Sequence, residues 1–340
     1  MTTTAVAPVR IGVIGAGRIG RMHAELLAHR VPGAAVGPVY DAYDPAARDL
    51  AGELGVSVAE SVEDLLAGEV DAVAICSSAD THAELVAAAA QAGKAIFCEK
   101  PVSLDLAELD RALAAVQRAG IPFQIGFNRR FDPAHAAVRQ AVVSGSIGEP
   151  HLARISSRDP APPPLEYVKT SGGLFLDMMI HDFDMARFLV GSEVLEVFAR
   201  GAVRVEPSFA QSGDVDTALV TLVHENGCLT AIDNSRRAVY GFDQRVEIFG
   251  SEGMAASQNP LAHTGIVVTA DGAQAPPLPY FFLERYLPSY EREWQAFVSA
   301  LQTETPTATT IDDARAPLII GLAATKSLRE HRPVGLDEVQ

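Results

Sequence analysis

Cysteine is scarce in this 340-residue chain, three in all, and so is positive charge: 27 Lys and Arg stand against 43 Asp and Glu. Cys76, Cys98 and Cys228 are odd in number and lack metal-ligand spacing, which leaves buried, hydrophobe-like thiols in a reducing cytoplasm as their role. A formal net charge of -16, with no compensating block of Lys and Arg, repels phosphate backbones and anionic membranes, so neither is an expected partner. No run reaches the roughly 18 apolar residues of a membrane span. The opening MTTTAVAPVRIGVIG has no basic patch followed by an apolar stretch, so no secretion signal is expected. Repeats and low-complexity tracts are also missing, apart from a Pro-rich loop at Asp159 to Leu165.

What is present is apolar: 48% of residues, with only 21% charged, enough for a large core. The length exceeds what one core usually supports, which predicts two domains, 1–126 and 127–340, with the last helix free to pack back on the first. In the first domain, strands at Val9 to Ile14, Ala35 to Tyr40, Ala72 to Ile75, Ala95 to Cys98 and Phe123 to Ile125 alternate with helices at Ile19 to His29, Ala46 to Leu54, Val62 to Leu66, His82 to Ala92 and Leu106 to Ala119. This alternation predicts an α/β, doubly wound parallel sheet of Rossmann type. Asp105 with Glu108 forms a capping-box pattern, and Gly93 and Gly120 stand where helices stop.

Beyond Gly126 a short apolar helix, Leu174 to Leu189, precedes strands at Val194 to Val205, Thr217 to His224, Cys228 to Asn234, Arg245 to Phe249 and Gly265 to Thr269. A helix around Ser289 to Leu301 and another after Pro317 close the chain. The expectation is an α+β domain with an open, mainly antiparallel sheet.

Gly15-Ala16-Gly17-Arg18-Ile19-Gly20 joins a strand to a helix, and Asp41 follows the next strand, 21 residues after Gly20. Gly15 permits the tight turn, Gly17 lets the backbone approach pyrophosphate, and Gly20 lets the helix pack on the sheet. Asp41 would accept from both ribose hydroxyls and repel a 2′-phosphate, favouring NAD over NADP, although Asp44 and Arg48 one turn apart leave that preference open. Ser77 and Ser78 end the next long strand near the cofactor, or are ordinary loop serines. His82 follows Thr81, a candidate N-cap, and reads more readily as a surface or capping residue than as a cofactor contact.

Glu99-Lys100-Pro101 stands at the carboxyl end of a strand, where open α/β sheets bind ligands. Lys100 can donate to a substrate hydroxyl there, the alternative being a surface lysine in a turn. Asp177 and His181 are four apart, so on an α-helix they share a face. A carboxylate beside an imidazole fixes its tautomer and supports it as a base. A buried structural ion pair, or a metal site completed by Asp184, are the other readings; without a further His or Cys cluster, no metal is expected.

These residues, with Gly126-Phe127-Asn128-Arg129-Arg130-Phe131, resemble the Gfo/Idh/MocA family of oxidoreductases over essentially the whole chain. Asp214-Val215-Asp216-Thr217 and the stretch from Asp233 to Arg245 are most similar to its inositol 2-dehydrogenases. The resemblance implies an NAD-dependent enzyme that oxidises myo-inositol to its 2-keto product. It assigns Lys100 to substrate and the nicotinamide ribose, and Asp177 and His181 to catalysis. Asn128, Arg129, Arg158, Asp159 and Tyr240 become candidate partners of the substrate hydroxyls, and Glu99 falls beside the cofactor. Ser157 to Pro160 replaces a His- and Asn-containing segment found in some inositol dehydrogenases. Pairing through the open sheet, into a dimer or tetramer, is also implied. A dehydrogenase of scyllo-inositol, another isomer or a pyranose remains an alternative. So do an NAD-dependent glycosidase or isomerase and a non-catalytic NAD sensor, though a sensor could dispense with Lys100, Asp177 and His181.

Overall fold

Short apolar strands and amphipathic helices in the first third of the chain settle into a five-stranded parallel sheet in the computed structural model, which describes residues 7–339. The first six residues, part of the stretch read above for a secretion signal, lie outside the described residues. Strands β1 (Val9–Ile14), β2 (Ala34–Tyr40), β3 (Ala72–Ile75), β4 (Ala95–Glu99) and β5 (Phe123–Gly126) run in the order β2-β1-β3-β4-β5. Helices α1 (Arg18–His29), α2 (Asp44–Leu54), α3 (Val62–Ala67), α4 (Ala79–Gln91) and α5 (Leu106–Ala119) connect them. All four residues of β3 are fully buried, which is why this strand reads as an unbroken apolar run rather than an alternation. Asp105 caps α5 by accepting from the Glu108 amide at 2.8 Å. The Glu108 carboxylate accepts from the Ser103 hydroxyl, so the capping box is only half formed.

Contacts between residues divide the chain into two units, one ending at Asn128 and including Tyr290–Ala316, the other comprising Arg129–Ser289 and the residues from Pro317 onward. In the second unit α6 (Pro133–Val143), β6 (Pro150–Arg158), α7 (Leu165–Thr170) and α8 (Ile180–Val190) are followed by β7 (Val194–Ala202), α9 (Ser208–Gln211), β8 (Thr217–His224), β9 (Leu229–Ser235), β10 (Asp243–Gly250) and β11 (Met254–Ser257). A separate hairpin, β12 (Val267–Thr269) with β13 (Gly272–Gln274), precedes α10 (Phe282–Thr303), α11 (Ile311–Glu330) and β14 (Val334–Gly335). Seven strands form one sheet in the order β11-β10-β6-β9-β8-β7-β14, antiparallel except where β6 runs parallel to β9. The sheet is therefore mainly antiparallel, as expected. The interior strand β6 and the helix α6 are not expected from the sequence, and Gly265 to Thr269 contributes to the small hairpin instead.

One face of this sheet packs Ile155, Val197, Leu222, Ile232 and Ile248 into a core shared with Phe183, Met185 and Leu189 of α8. On the other face, Val223, Leu229, Leu152, Phe249 and Met254 stand opposite one another in register, an apolar row across five strands. Leu229, Leu152, Phe249 and Met254 are 40 to 55% exposed.

The helix expected at Leu174 to Leu189 is interrupted. Residues Leu174–Met178 form a π-helical turn closed by Met179 N–H donating to the Leu174 carbonyl at 2.9 Å, and regular helix begins only with α8. Among the described residues, no helix is long and apolar enough to cross a membrane.

Candidate active site

In the first unit, glycines that admit close backbone approach shape the loop after β1. Gly15 has φ +100°, and a Cβ there would lie 2.6 Å from the backbone of Cys76 and Ser77. The loops after β1 and β3 thus touch backbone to backbone where the strand order reverses. A Cβ on Gly20 would fall 1.8 Å from the Gly15 carbonyl oxygen, so α1 packs directly on the loop. A Cβ on Gly17 would meet nothing within 4 Å. This open approach sits at the N-cap of α1, whose first turn, containing Arg18 and Ile19, carries no acidic residue to compete for the helix N-terminus. The loop therefore fits a dinucleotide pyrophosphate.

Asp41, just beyond β2, is tied to the same loop. One carboxylate oxygen accepts from Ala16 N–H at 2.6 Å and the other from Tyr43 N–H at 2.7 Å. Each oxygen keeps a second lone pair for a ribose hydroxyl. Arg48, the nearby cation that left NADP open, is ion-paired with Asp44 at 2.5 Å.

At the end of β4 the Lys100–Pro101 peptide is cis. His82 is buried rather than at the surface, its ring nitrogens 2.8 Å from the Pro101 carbonyl and 3.0 Å from that of Ser77. Helix α4 starts earlier than expected, with Ser78 at the N-cap, and the Thr81 hydroxyl lies inside it, 2.7 Å from that of Ser77. Glu99 faces inward: one oxygen is 2.8 Å from His23 Nε2 on α1, and the other accepts the Lys100 amide at 3.2 Å. Trp294 completes the chain by donating its indole N–H to His23 Nδ1 at 2.8 Å. Burial pushes Glu99 up, but its hydrogen bond to His23 and the charge of Lys100 outweigh this and hold its pKa below the usual value. Asn128 is buried, and its amide nitrogen has no hydrogen-bond partner. All three cysteines are buried free thiols, raised above their ordinary pKa by desolvation.

In the second unit, ion pairs rather than backbone dominate. Arg129 donates to Asp182 at 2.7 Å, and Asn234 donates to the other Asp182 oxygen at 2.9 Å, all three side chains being buried. Burial still raises the Asp182 pKa in spite of Arg129. Arg158 and Tyr240 come together as expected candidates, but with carboxylates that sequence reasoning did not select. Arg158 donates to Asp233 at 2.8 Å and to the Tyr240 hydroxyl at 2.9 Å, while that hydroxyl donates to Asp243 at 2.7 Å.

Asp177 stands in the π turn, and half-buried His181 follows in the first turn of α8. The Tyr167 hydroxyl donates to one Asp177 oxygen at 2.9 Å and Arg236 Nη1 to the other at 3.0 Å. The same nitrogen lies 3.8 Å from Asp159. Desolvation pushes Asp159 up to about 6; Arg236 opposes the rise and Asp177 adds to it. Asp184, the third member of the metal reading, instead grips Arg130 through two nitrogens at 2.6 and 2.9 Å. Among the described residues, no three His, Cys, Asp or Glu side chains gather into a metal-holding group.

Around Glu99 and Asp177, the partners not visible in the sequence are His23, Trp294, Tyr167 and Arg236. Arg236 lies inside the motif used for the resemblance, but nothing in its spacing links it to Asp177, 59 positions away.

Comparison with known proteins places these observations in a family. Residues 9–127 match the oxidoreductase family with an NAD-binding Rossmann fold, and residues 135–256 match the GFO/IDH/MocA C-terminal domain. The chain is 48% identical to a myo-inositol 2-dehydrogenase of Thermotoga maritima, with 97% of this chain and 99% of that protein aligned. It is 43% identical to an inositol 2-dehydrogenase of Rhizobium meliloti, with 96% and 99% covered. A crystal structure of Lactobacillus casei scyllo-inositol dehydrogenase with bound NAD(H) and scyllo-inositol superposes with a TM-score of 0.91 at 30% identity, over 97% of this chain and 99% of that one. With an NAD-binding Rossmann domain and the C-terminal domain that accompanies it, the chain belongs to the GFO/IDH/MocA family of oxidoreductases.

Proposed function

We propose that the protein is an NAD-dependent inositol 2-dehydrogenase that converts myo-inositol to 2-keto-myo-inositol. The observation that carries this reading is the 43 to 48% identity to inositol 2-dehydrogenases over nearly the full length of the chain. Gly15, Ala16, Gly17, Arg18, Ile19 and Asp41 hold the dinucleotide, with Ser77, Ser78, His82 and Glu99 shaping the neighbouring loops. NAD, when bound, supplies the two-electron acceptor for the hydrogen on the alcohol carbon. His181 takes the hydroxyl proton, Asp177 supports the charge that the imidazole acquires, and Lys100 stabilises the negative charge developing on oxygen. Asn128, Arg129, Arg158, Asp159 and Tyr240 are the candidates for holding or shaping the contacts of the other ring hydroxyls. Of these, Asn128 is favoured by its unpartnered buried amide, whereas Arg129 acts through its buried pair with Asp182.

A second reading, oxidation of scyllo-inositol, is favoured by a Bacillus subtilis scyllo-inositol 2-dehydrogenase (NAD(+)) that is 38% identical over 97% of the chain. Following NADH formation across myo-inositol, scyllo-inositol, other isomers and pyranoses separates the two. Turnover of pyranoses alone would reject both.

The apolar row on the open sheet face supports a homo-oligomer, a dimer or tetramer paired through that face, and three unpaired buried thiols support a cytoplasmic location. Leu152→Lys should lower the molecular mass in solution. An unchanged mass would place subunit pairing elsewhere.

A further inference from the structure

If Asp177 steadies His181, something must in turn hold Asp177. We propose that Arg236 is a positioning residue for this reaction: its buried guanidinium fixes the Asp177 carboxylate in place and balances the negative charge gathered around it. The inference rests on the reading of Asp177 and His181 as the proton-handling pair.

Arg236 directly follows β9, and its backbone N–H is anchored on the Asp216 carbonyl at 2.8 Å. The residue is 3% exposed. Two donors from separate elements, Tyr167 of α7 and Arg236, grip the two oxygens of Asp177. This matters because Asp177 sits on a π turn, where the wider backbone does not aim a side chain as a regular helix would. Asp159 lies 3.8 Å from the same guanidinium, and Asp214, which accepts the Leu174 amide, interacts electrostatically with both Arg236 and Asp177. Three carboxylates thus share one arginine. A second cation felt by Asp159, Arg129, is already engaged with Asp182.

Two features argue against a purely structural role. Arg236 Nε and Nη2 are buried without partners, a cost that an apolar side chain of similar volume would avoid. Asp159 and Asp214 remain raised even with Arg236 present, so its charge is needed to limit proton uptake by the cluster. Arg236 therefore acts through Asp177, not on the substrate.

The test compares the full chain with Arg236→Met, Arg236→Lys and Arg236→Met combined with Asp214→Asn, measuring kcat and KM against pH, NAD affinity and melting. Arg236→Met should lower kcat by about 10²-fold, the scale of a misplaced catalytic group, and move the acid limb of kcat/KM up by about one pH unit, with NAD affinity unchanged. Arg236→Lys should return the acid limb while kcat stays about tenfold low, because it restores the charge on a shorter, flexible stem that does not hold the Asp177 oxygen where Nη1 does. Asp214→Asn in the Met background should bring the limb part of the way back. Loss of melting temperature with an unmoved acid limb, or wild-type kcat in folded Arg236→Met, overturns the proposal. If Arg236→Met does not fold, Arg236→Lys decides, and wild-type kcat in that variant overturns it. Wild-type kcat in Asp177→Asn and His181→Ala would reject the underlying reading whatever Arg236 does. A different preferred polyol would change only the substrate on which Arg236 is judged.

Discussion

The loop around Gly15 and the cluster around Asp177 are built from different materials. The first is backbone fitted against backbone, with missing side chains as its essential feature. The second is a set of buried charges whose positions depend on one another across long stretches of sequence. A backbone-built site leaves its signature in local spacing, whereas a charge-built one shows only those members that happen to lie close in the chain. The two should therefore fail differently.

The largest separation comes from His181→Ala. It should lower kcat by roughly 10² to 10⁴ while NAD binding stays unchanged; stopped-flow turnover and fluorescence titration of NADH check both. Weakened NADH binding would break the distinction. Next, Arg129→Met strands buried Asp182 and should cost about 3–5 kcal/mol of stability, read from urea unfolding. Intact stability would mean that Asp182 finds another partner. Gly20→Ala, whose added methyl collides with the Gly15 carbonyl, should weaken NAD by an amount matching about 1–3 kcal/mol of overpacking strain, with the second unit still folded by hydrogen exchange.

The smallest effect sharpens the charge side of the comparison. Asp159 is raised from 3.8 to about 6, so the native state holds its proton more tightly than the unfolded chain does. Its contribution to stability therefore declines as pH rises from about 4 through 6 and stays low above that. Asp159→Asn should remove this decline. The difference in urea midpoint between variant and wild type should grow across that window and then level off; a constant difference would contradict the assignment.

Much of the first unit was legible because its strands are continuous apolar runs and its glycines meet hard steric limits. In the second unit β6 escaped notice. Of its inward residues Ala153, Ile155 and Ser157 only Ile155 is a large hydrophobe, and Leu152 on the outward face is apolar too, so the period-two signal is faint. Asp177 and His181 were visible by spacing, but the π turn beneath Asp177 was not: it follows Gly173, at φ +76° and packed against Asp214, whose carboxylate accepts the Leu174 amide from 40 positions away. Arg236 and Tyr167 were invisible as partners for the same reason: hydrogen bonds between distant positions leave no period in the chain.

The hydrogen-bonded link from Trp294 through His23 to Glu99 has a fixed polarity. An indole N–H only donates, so His23 Nδ1 must accept, and the ring proton resides on Nε2, directed at Glu99. That orientation has one sense and cannot be reversed without breaking a bond at each end. Because His23 rides on the helix that opens at the glycine loop and Glu99 immediately precedes Lys100, the polarised chain works as a fixed-length spacer within the first unit. It sets how far the lysine-bearing strand end stands from the helix that opens at the glycine loop.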